Sequence, residues 1–315
     1  MKKQITSHIL MIKPVHFNYN EQTAENNYFQ EEIDHLSSQK IQDKALKEFE
    51  SFVQKLEDHG IHVVTVSDTE KAETPDSVFP NNWVSFHEDG RVGLYPMFAP
   101  NRRRERRPDI LEILKNDFEI RDIVDFSASE KDEKYLEGTG SMILDRSKRI
   151  VYAALSDRTD ESILREFCQE FDFECITFTA TQNVDGQRMP IYHTNVMMCV
   201  AEDFSVICSD TIQNPVEREK VLTSLKNTGK EIIEISEEQM NHFAGNMLQV
   251  HNAKGERFLV MSTAAYESLN SNQVQRIEKY GPIIHSSLET IETCGGGSAR
   301  CMMAEIFLPE KIKTN

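Results

Sequence analysis

The chain has 315 residues, 39% of them hydrophobic, and a formal net charge of −17, so it can bury one large core or two smaller ones. The negative charge argues against a nucleic-acid partner, because a phosphate backbone is repelled in the absence of a strong basic patch. No apolar run approaches the roughly 20 residues of a membrane-spanning helix, and six cysteines with no CxxC pair and no signal-peptide pattern ahead of them imply free thiols in a reducing, cytoplasmic setting.

The first predicted strand is "SHILMIKP", from Ser7 to Pro14. Next, "NWVSFHEDGRVGLYPM" reads as two apolar strands around a polar turn, with an amphipathic helix in "RPDILEILKND". Between them lies the basic cluster "NRRRERR", Asn101 to Arg107, open to reading as a solvated face or as an anion site. The pattern of two strands and a helix then recurs three times. "GSMILDRSKRIVYAAL" precedes the helix "DESILREFCQEFD", "HTNVMMCVAEDFSVICSD" precedes "NPVEREKVLTSLKNTG", and "NMLQVHNAKGERFLVMSTAAY" precedes "ESLNSNQVQRIEKYG". No Pro/Gly/Ser-rich linker interrupts the series, so residues 1–315 are expected to form a single domain.

The pitch of this series is nearly constant. Trp83, Gly140, His193, Met247 and Cys301 occupy equivalent strand starts, with spacings of 57, 53, 54 and 54 residues, which marks an internal repeat. A fifth unit opens at Cys301, but the chain ends soon after Pro309. Its missing partner strand is the N-terminal "SHILMIKP". That pairing would close a ring and remove two exposed edges. The expected fold is α/β, with five ββαβ-type units around a pseudo-fivefold axis.

Strand starts that are distant in sequence then meet at one end of the axis. Cys301 would face His193, whose imidazole favours a thiolate and can return a proton to a leaving amine. Glu137, in "YLEGTGSM", would orient that imidazole or bind a substrate N–H. Alone, each residue has a plainer reading: a small buried thiol, a hydrogen-bonded core histidine, a surface carboxylate. Their shared phase in the repeat gives them weight. No HExxH or comparable ligand spacing is present, so neither a metal nor an organic cofactor is expected.

These residues carry a resemblance to the guanidine-modifying pentein superfamily, which contains arginine deiminase, dimethylarginine hydrolase and the amidinotransferases. The segments "TPDSVFPNNWVSFH", "LEGTGSM", "ALSDRT" and "GGGSARCM" resemble that superfamily's motifs. "IKPVHFNYNEQTAENNYFQ" resembles the opening of its amidinotransferase-like, citrulline-utilisation hydrolase branch. The resemblance spans nearly the whole chain. It implies a five-bladed α/β propeller, with Cys301 as nucleophile, His193 as general acid/base and Glu137 as supporting carboxylate. It also implies that Arg158 and either Arg102 or Arg103 bind a substrate carboxylate, that Asp76 lies near the substrate's amino group, and that Val15 to Asn20 cover the site.

The departures from the family pattern concern the substrate. Relatives that act on a guanidinium carry a carboxylate after the Pro-Asp-Ser-Val-Phe stretch, and deiminases an Asp two residues after the catalytic His. Here stand Asn81, Asn82 and Asn195. A neutral amide offers a donor and an acceptor without burying an unpaired charge, which favours a ureido group over a guanidinium. The expected reaction is attack of Cys301 on the ureido carbon of L-citrulline, with the oxyanion held by N–H donors of the loop Gly295 to Arg300. Ornithine, carbon dioxide and ammonia result. The alternatives are hydrolysis, deimination or amidino transfer on a guanidino substrate, and a non-catalytic binding protein on the same fold. A papain-like protease fits poorly, since that class places its cysteine early and its histidine late. The expected partner is a small amino-acid substrate. A homodimer is compatible with the sequence, which leaves oligomeric state open.

Overall fold

A computed structural model describes residues 3–71 and 73–312. The chain folds into five three-stranded sheets, each with one antiparallel and one parallel pairing. Strand β1 (His8–Lys13) pairs in parallel with β2 (His62–Ser67), and between them runs helix α1 (Ser38–Asp58). The second sheet holds β3 (Val84–Phe86), β4 (Arg91–Leu94) and β5 (Asp122–Asp125), with α2 (Pro108–Leu114) in the crossover. The third holds β6 (Ile143–Asp145), β7 (Ile150–Ala154) and β8 (Glu174–Phe178), crossed by α3 (Glu161–Phe171). A separate hairpin, β9 (Thr181–Val184) and β10 (Gln187–Pro190), follows. The fourth sheet holds β11 (Met198–Val200), β12 (Phe204–Ile207) and β13 (Glu231–Glu234), crossed by α4 (Pro215–Asn227). The fifth holds β14 (Leu248–His251), β15 (Arg257–Ser262) and β16 (Ile283–Ser286), with α5 (Ser271–Glu278) between the last two.

The last strand, β17 (Ala304–Glu305), pairs antiparallel with β1 through Ile9↔Glu305 and Leu10↔Ala304. One of the five sheets is thus assembled from both ends of the chain. The four hairpins and four crossover helices read from the sequence are present. The sheets remain separate units, and no strand pairing among the described residues joins one to the next. A continuous closed sheet therefore does not form.

Local chemistry explains the crossover helices. In α1 the buried positions are Ile41, Ala45, Phe49, Phe52 and Leu56, three or four residues apart, which places them on one helix face. Ser37 caps the helix by accepting from the Lys40 N–H. The apolar face packs against Ile9, Met11, Ile284 and the residues around Cys301. In α3, Asp160 caps the Ser162 and Ile163 amides, and Ile163, Leu164, Phe167 and Phe171 are buried. Truncating one of these phenylalanines to alanine would cost about 3–5 kcal/mol. Such helices hold each hairpin rigidly, so the short turns ahead of the first strands are fixed in space. Those turns carry the site.

Candidate active site

Three helical turns, Pro80–Asn82, Gly138–Ser141 and Thr194–Met197, lead into β3, β6 and β11. They converge with the residues ahead of β14 and with the loop that ends at Cys301. His193 stands just before its turn and Glu137 just before the preceding one. Their side chains meet, with His193 Nε2 2.7 Å from Glu137 Oε2. Gly140 permits this approach: a Cβ there would sit 2.8 Å from His193 Nδ1 and 2.4 Å from Asn82 Nδ2.

Glu137 is fully buried. Burial alone would raise its pKa, but Arg158, the His193 hydrogen bond and Arg102 together hold it well below the usual carboxylate range. Its Oε1 accepts from the Phe98 N–H at 2.9 Å. Burial pushes His193 down to about 4, against the raising effect of Glu137. The imidazole is therefore neutral near pH 7. With Nε2–H donating to Glu137, Nδ1 is left as the unprotonated, proton-accepting nitrogen.

Cys301 is 3% exposed. No hydrogen bond joins it to His193. The sulfur instead accepts from two amides, Asn195 Nδ2 and Asn246 Nδ2, each at 3.3 Å. Asn246 was not singled out in the sequence, although it lies about one repeat pitch from both Asn195 and Cys301. The loop donors expected from Gly295 to Arg300 are also engaged in part. Arg300 N–H donates to Asn246 Oδ1 at 2.9 Å, and Cys301 N–H donates to Ser298 O at 2.9 Å.

Asn82 is buried beside His193, and Arg102 fixes its orientation. Arg102 Nη1 donates to Asn82 Oδ1 at 2.9 Å, so the Asn82 amide nitrogen must face away from the arginine, and it has no protein partner. Asn81 Nδ2 contacts Thr139 Oγ1 at 3.3 Å, leaving Asn81 Oδ1 without a partner. Asn195 Oδ1 and Asp76 Oδ1 are likewise unpartnered. Buried polar atoms in folded proteins are nearly always satisfied. Two amide acceptors, one fixed donor and a carboxylate oxygen of these residues are thus left without a protein partner.

Arg102, offered with Arg103 by the resemblance as a binder of the substrate carboxylate, is held by the protein. It is 2% exposed, and all its donors lie against the protein: Glu105 in a bidentate pair at 2.9 Å and 2.9 Å, Asn82, and the carbonyls of Asp76 and Phe79. The rest of the basic cluster is pinned as well. Arg103 donates to Met97 O and Phe98 O, Arg106 pairs with Glu130 at 2.6 Å, and Arg107 pairs with Asp109. Arg103 and Arg107 stay partly exposed, and Arg107 pairs with an exposed carboxylate, as a solvated face would have it.

Arg158 holds the segment that covers the site. Its Nε and Nη2 donate to Asn26 Oδ1 and its Nη2 to Thr23 O, while Nη1 lies 3.5 Å from Glu137 Oε2. The hydrogen bonds that tie this segment down extend from Asn20 to Gln30, past the Val15 to Asn20 that the resemblance implies as a cover. Asn20 Nδ2 and Thr23 Oγ1 donate to Asp76 Oδ2 at 2.7 and 3.1 Å, and Gln30 Nε2 donates to Cys294 O. Asn27 reaches the carbonyls of Gly295 and Gly296. Gly296 has φ +60°, and a Cβ there would stand 2.5 Å from both Asn27 and Gln30, so the glycine run lets the cover seat on the nucleophile loop. Outside the cover opens a cavity of about 600 Å³ lined by Val15–Gln22, Pro75, Asn101 and Arg104. None of Cys301, His193 and Glu137 lines it. Among the described residues, no group of three or more His, Cys, Asp or Glu side chains is arranged to hold a metal ion, and no helix is long and apolar enough to cross a membrane.

This arrangement of a buried thiol and a carboxylate-backed imidazole on small α/β units defines a class, the guanidine-modifying penteins, and comparison with known proteins places the chain within it. Residues 13–308 match the family described as N,N dimethylarginine dimethylhydrolase, eukaryotic, and the chain belongs to that family of hydrolases. No curated protein matches the sequence. Among solved structures, ArgZ, an arginine dihydrolase from the ornithine-ammonia cycle in cyanobacteria, superposes with a TM-score of 0.74 at 17% identity, over 96% of this chain and 41% of that one. The chain thus spans about two fifths of the full enzyme. The N-terminal domain of ArgZ, covalently bonded to a reaction intermediate, superposes with a TM-score of 0.72 at 17% identity, over 96% of this chain and 98% of that one. A dimethylarginine dimethylaminohydrolase carrying an S-methyl-L-thiocitrulline adduct gives 0.64 at 14% identity, over 96% of this chain and all of its own.

Proposed function

We propose that this protein hydrolyses L-citrulline to ornithine, carbon dioxide and ammonia. Its five sheets are read as the blades of a single-domain propeller, with the site at one end of the pseudo-fivefold axis. The observation that carries the substrate is Asn82. Arg102 fixes its amide so that a buried, unpartnered N–H faces the site. A ureido group carries a carbonyl oxygen to accept from that donor, and N–H groups to donate to Asn81 Oδ1 and Asn195 Oδ1. A guanidinium has donors only and would leave the Asn82 N–H unsatisfied at a cost of about 1–3 kcal/mol.

In this reading Asp76 Oδ1 receives the substrate ammonium. Cys301 Sγ attacks the ureido carbon, and the carbonyl oxygen gains negative charge facing Asn82 Nδ2. His193 Nδ1 takes the thiol proton and delivers it to the δ-nitrogen as that C–N bond breaks, so ornithine leaves and Cys301 carries a carbamoyl group. Water, deprotonated by His193, then adds to the carbamoyl carbon. The thiol regains its proton and departs, and carbamate decomposes to carbon dioxide and ammonia. Glu137 keeps Nδ1 as the acting nitrogen and stabilises the imidazolium that forms transiently.

The second reading, hydrolysis of a guanidino substrate, is favoured by the family match and by the free Asp76 oxygen. A product assay separates the two. Purified protein is incubated with L-citrulline, L-arginine and dimethylarginine, reading ornithine, citrulline and ammonia, with Cys301→Ala as the blank. Ornithine from citrulline alone, abolished in the variant, is the expected result. Citrulline formed from either guanidino substrate would overturn the ureido reading while leaving the nucleophile in place.

A further inference from the structure

A neutral substrate creates a difficulty at the thiol. A cation docking beside the sulfur would promote its ionisation by Coulomb attraction, but a ureido group carries no charge. His193 does not supply the missing charge, because it is neutral at rest and makes no hydrogen bond to the sulfur. A buried thiol left to its surroundings is a poor nucleophile: burial pushes Cys199 and Cys208 of this protein up to about 12. The contacts of the sulfur itself offer another source of anion stabilisation.

The groups in contact with Sγ are the Asn195 and Asn246 amides, both fully buried. For Asn246 the amide orientation is not arbitrary. Its Oδ1 accepts from the Arg300 backbone N–H at 2.9 Å, which only an oxygen can do, so the NH2 must be the end that faces the sulfur. One hydrogen of that NH2 is directed to Asn195 O at 3.0 Å and the other to Cys301 Sγ at 3.3 Å. Asn246 therefore ties together the residue before the nucleophile, the nucleophile itself and the second amide donor. A thiol donates weakly and accepts weakly, whereas a thiolate is a full acceptor. Two N–H groups converging on the sulfur match the anion.

We propose that Asn246, together with Asn195, is a catalytic donor pair that stabilises the Cys301 thiolate, and that it does for a neutral substrate what the substrate's own charge would do for a cationic one. This rests on Cys301 being the nucleophile, and its reason for existing rests on the ureido reading. The contact itself does not depend on which substrate binds.

The test is the pH dependence of Cys301 alkylation by iodoacetamide without substrate, followed by mass spectrometry of the Cys301 peptide so that the other five cysteines do not interfere. In Asn246→Ala the midpoint should move up by about one to two pH units, the range of one charge-assisted hydrogen bond. kcat should fall about ten- to a hundredfold, with KM changed less than threefold. Asn246→Ser, which keeps a small donor, should recover part of the shift. Asn195→Ala, which leaves the Arg300 contact intact, should move the midpoint in the same direction and serves if Asn246→Ala fails to fold. An unmoved midpoint in folded Asn246 or Asn195 variants overturns the proposal. A shifted midpoint in an enzyme that makes no ornithine from citrulline would sustain the thiolate role and sink the substrate reading.

Discussion

The groups around Cys301 and His193 and the layer directly behind them are built from opposite materials. Around Cys301 and His193 stand Asn81, Asn82, Asn195 and Asn246, all neutral and all at or below 2% exposure. Behind them lies a dense set of buried charges. Arg102 pairs with Glu105 at 2.9 Å and approaches Asp76 and Glu137 at 3.7 and 3.9 Å, and Arg158 lies 3.5 Å from Glu137. A buried ion pair is a poor source of stability, since desolvation can outweigh the attraction. Its value here is orientation. Arg102 turns the Asn82 amide, Glu105 holds Arg102, and Arg158 holds both the cover and the field around Glu137. The charges orient the neutral groups, and within this set Asp76 keeps one oxygen without a partner.

Disturbing the charged layer should therefore have the larger effect. In Glu137→Gln, Arg158 and Arg102 lose a shared counter-charge and His193 loses the partner that fixes its tautomer. kcat should fall by about 10²- to 10⁴-fold, and stability by about 3–5 kcal/mol. Thermal unfolding and steady-state kinetics check both. His193 adds a pH signature. Its pKa lies near 4 in the folded protein against 6.5 in the unfolded chain, so between those values the unfolded state binds the extra proton. The stability that His193 contributes is whole above about pH 6.5 and is lost as pH falls toward 4. His193→Gln should flatten that part of the stability–pH curve, and an unchanged slope would contradict the neutral resting imidazole.

On the proposed ureido reading the neutral layer sets the substrate, and changes there should respond in selectivity. Asn82→Asp keeps an oxygen for Arg102 and replaces the free N–H with a second, acceptor-only oxygen. Citrulline kcat/KM should fall about ten- to a hundredfold, the order expected from losing one oxyanion donor and leaving its site repulsive. Binding of arginine should tighten. Improved citrulline turnover in this variant would contradict the role given to Asn82.

The same contrast explains what the sequence made legible. Hairpins and crossover helices announce themselves by apolar periodicity, and the pitch places Cys301, His193, Glu137 and the Asn81–Asn82 pair just ahead of the first strands of their units. The strands begin at Val84, Ile143, Met198, Leu248 and Ala304, however, so these residues do not share one phase. The shared sheet of β1 and β17 follows from counting strands, since a fifth unit with no second strand needs one from elsewhere. Asn246 lacked any such mark. An asparagine carries no periodic signal, and its importance comes from contacts with Asn195 and Cys301, 51 and 55 residues away. Testing every polar residue at each repeat start would have found it. The partner of Arg102 is hidden for a related reason: a motif match puts an arginine near the site without revealing that Glu105, three residues on, pairs with it. The hairpin of β9 and β10, inserted between units, has no counterpart in the other repeats and so fell outside the pattern.

The smallest effect should come from the cover, where the two layers meet. Arg158 grips it through the Asn26 side chain and the Thr23 carbonyl, while Asn20 and Thr23 latch it to Asp76. Asn26→Ala removes one of these holds and leaves the others. The thiol and imidazole do not move, so the chemistry should be nearly unaffected, but the covered state becomes less populated. A substrate that binds beneath the cover then binds more weakly by the fraction of protein left open. KM should rise about two- to fivefold with kcat within twofold, and rise further if product release limits turnover, because opening would speed kcat together with KM. In substrate-free protein, iodoacetamide should reach Cys301 faster in this variant while the midpoint of its pH profile stays put. That separates easier access from a change in the thiol, which the Asn246 variants should show instead.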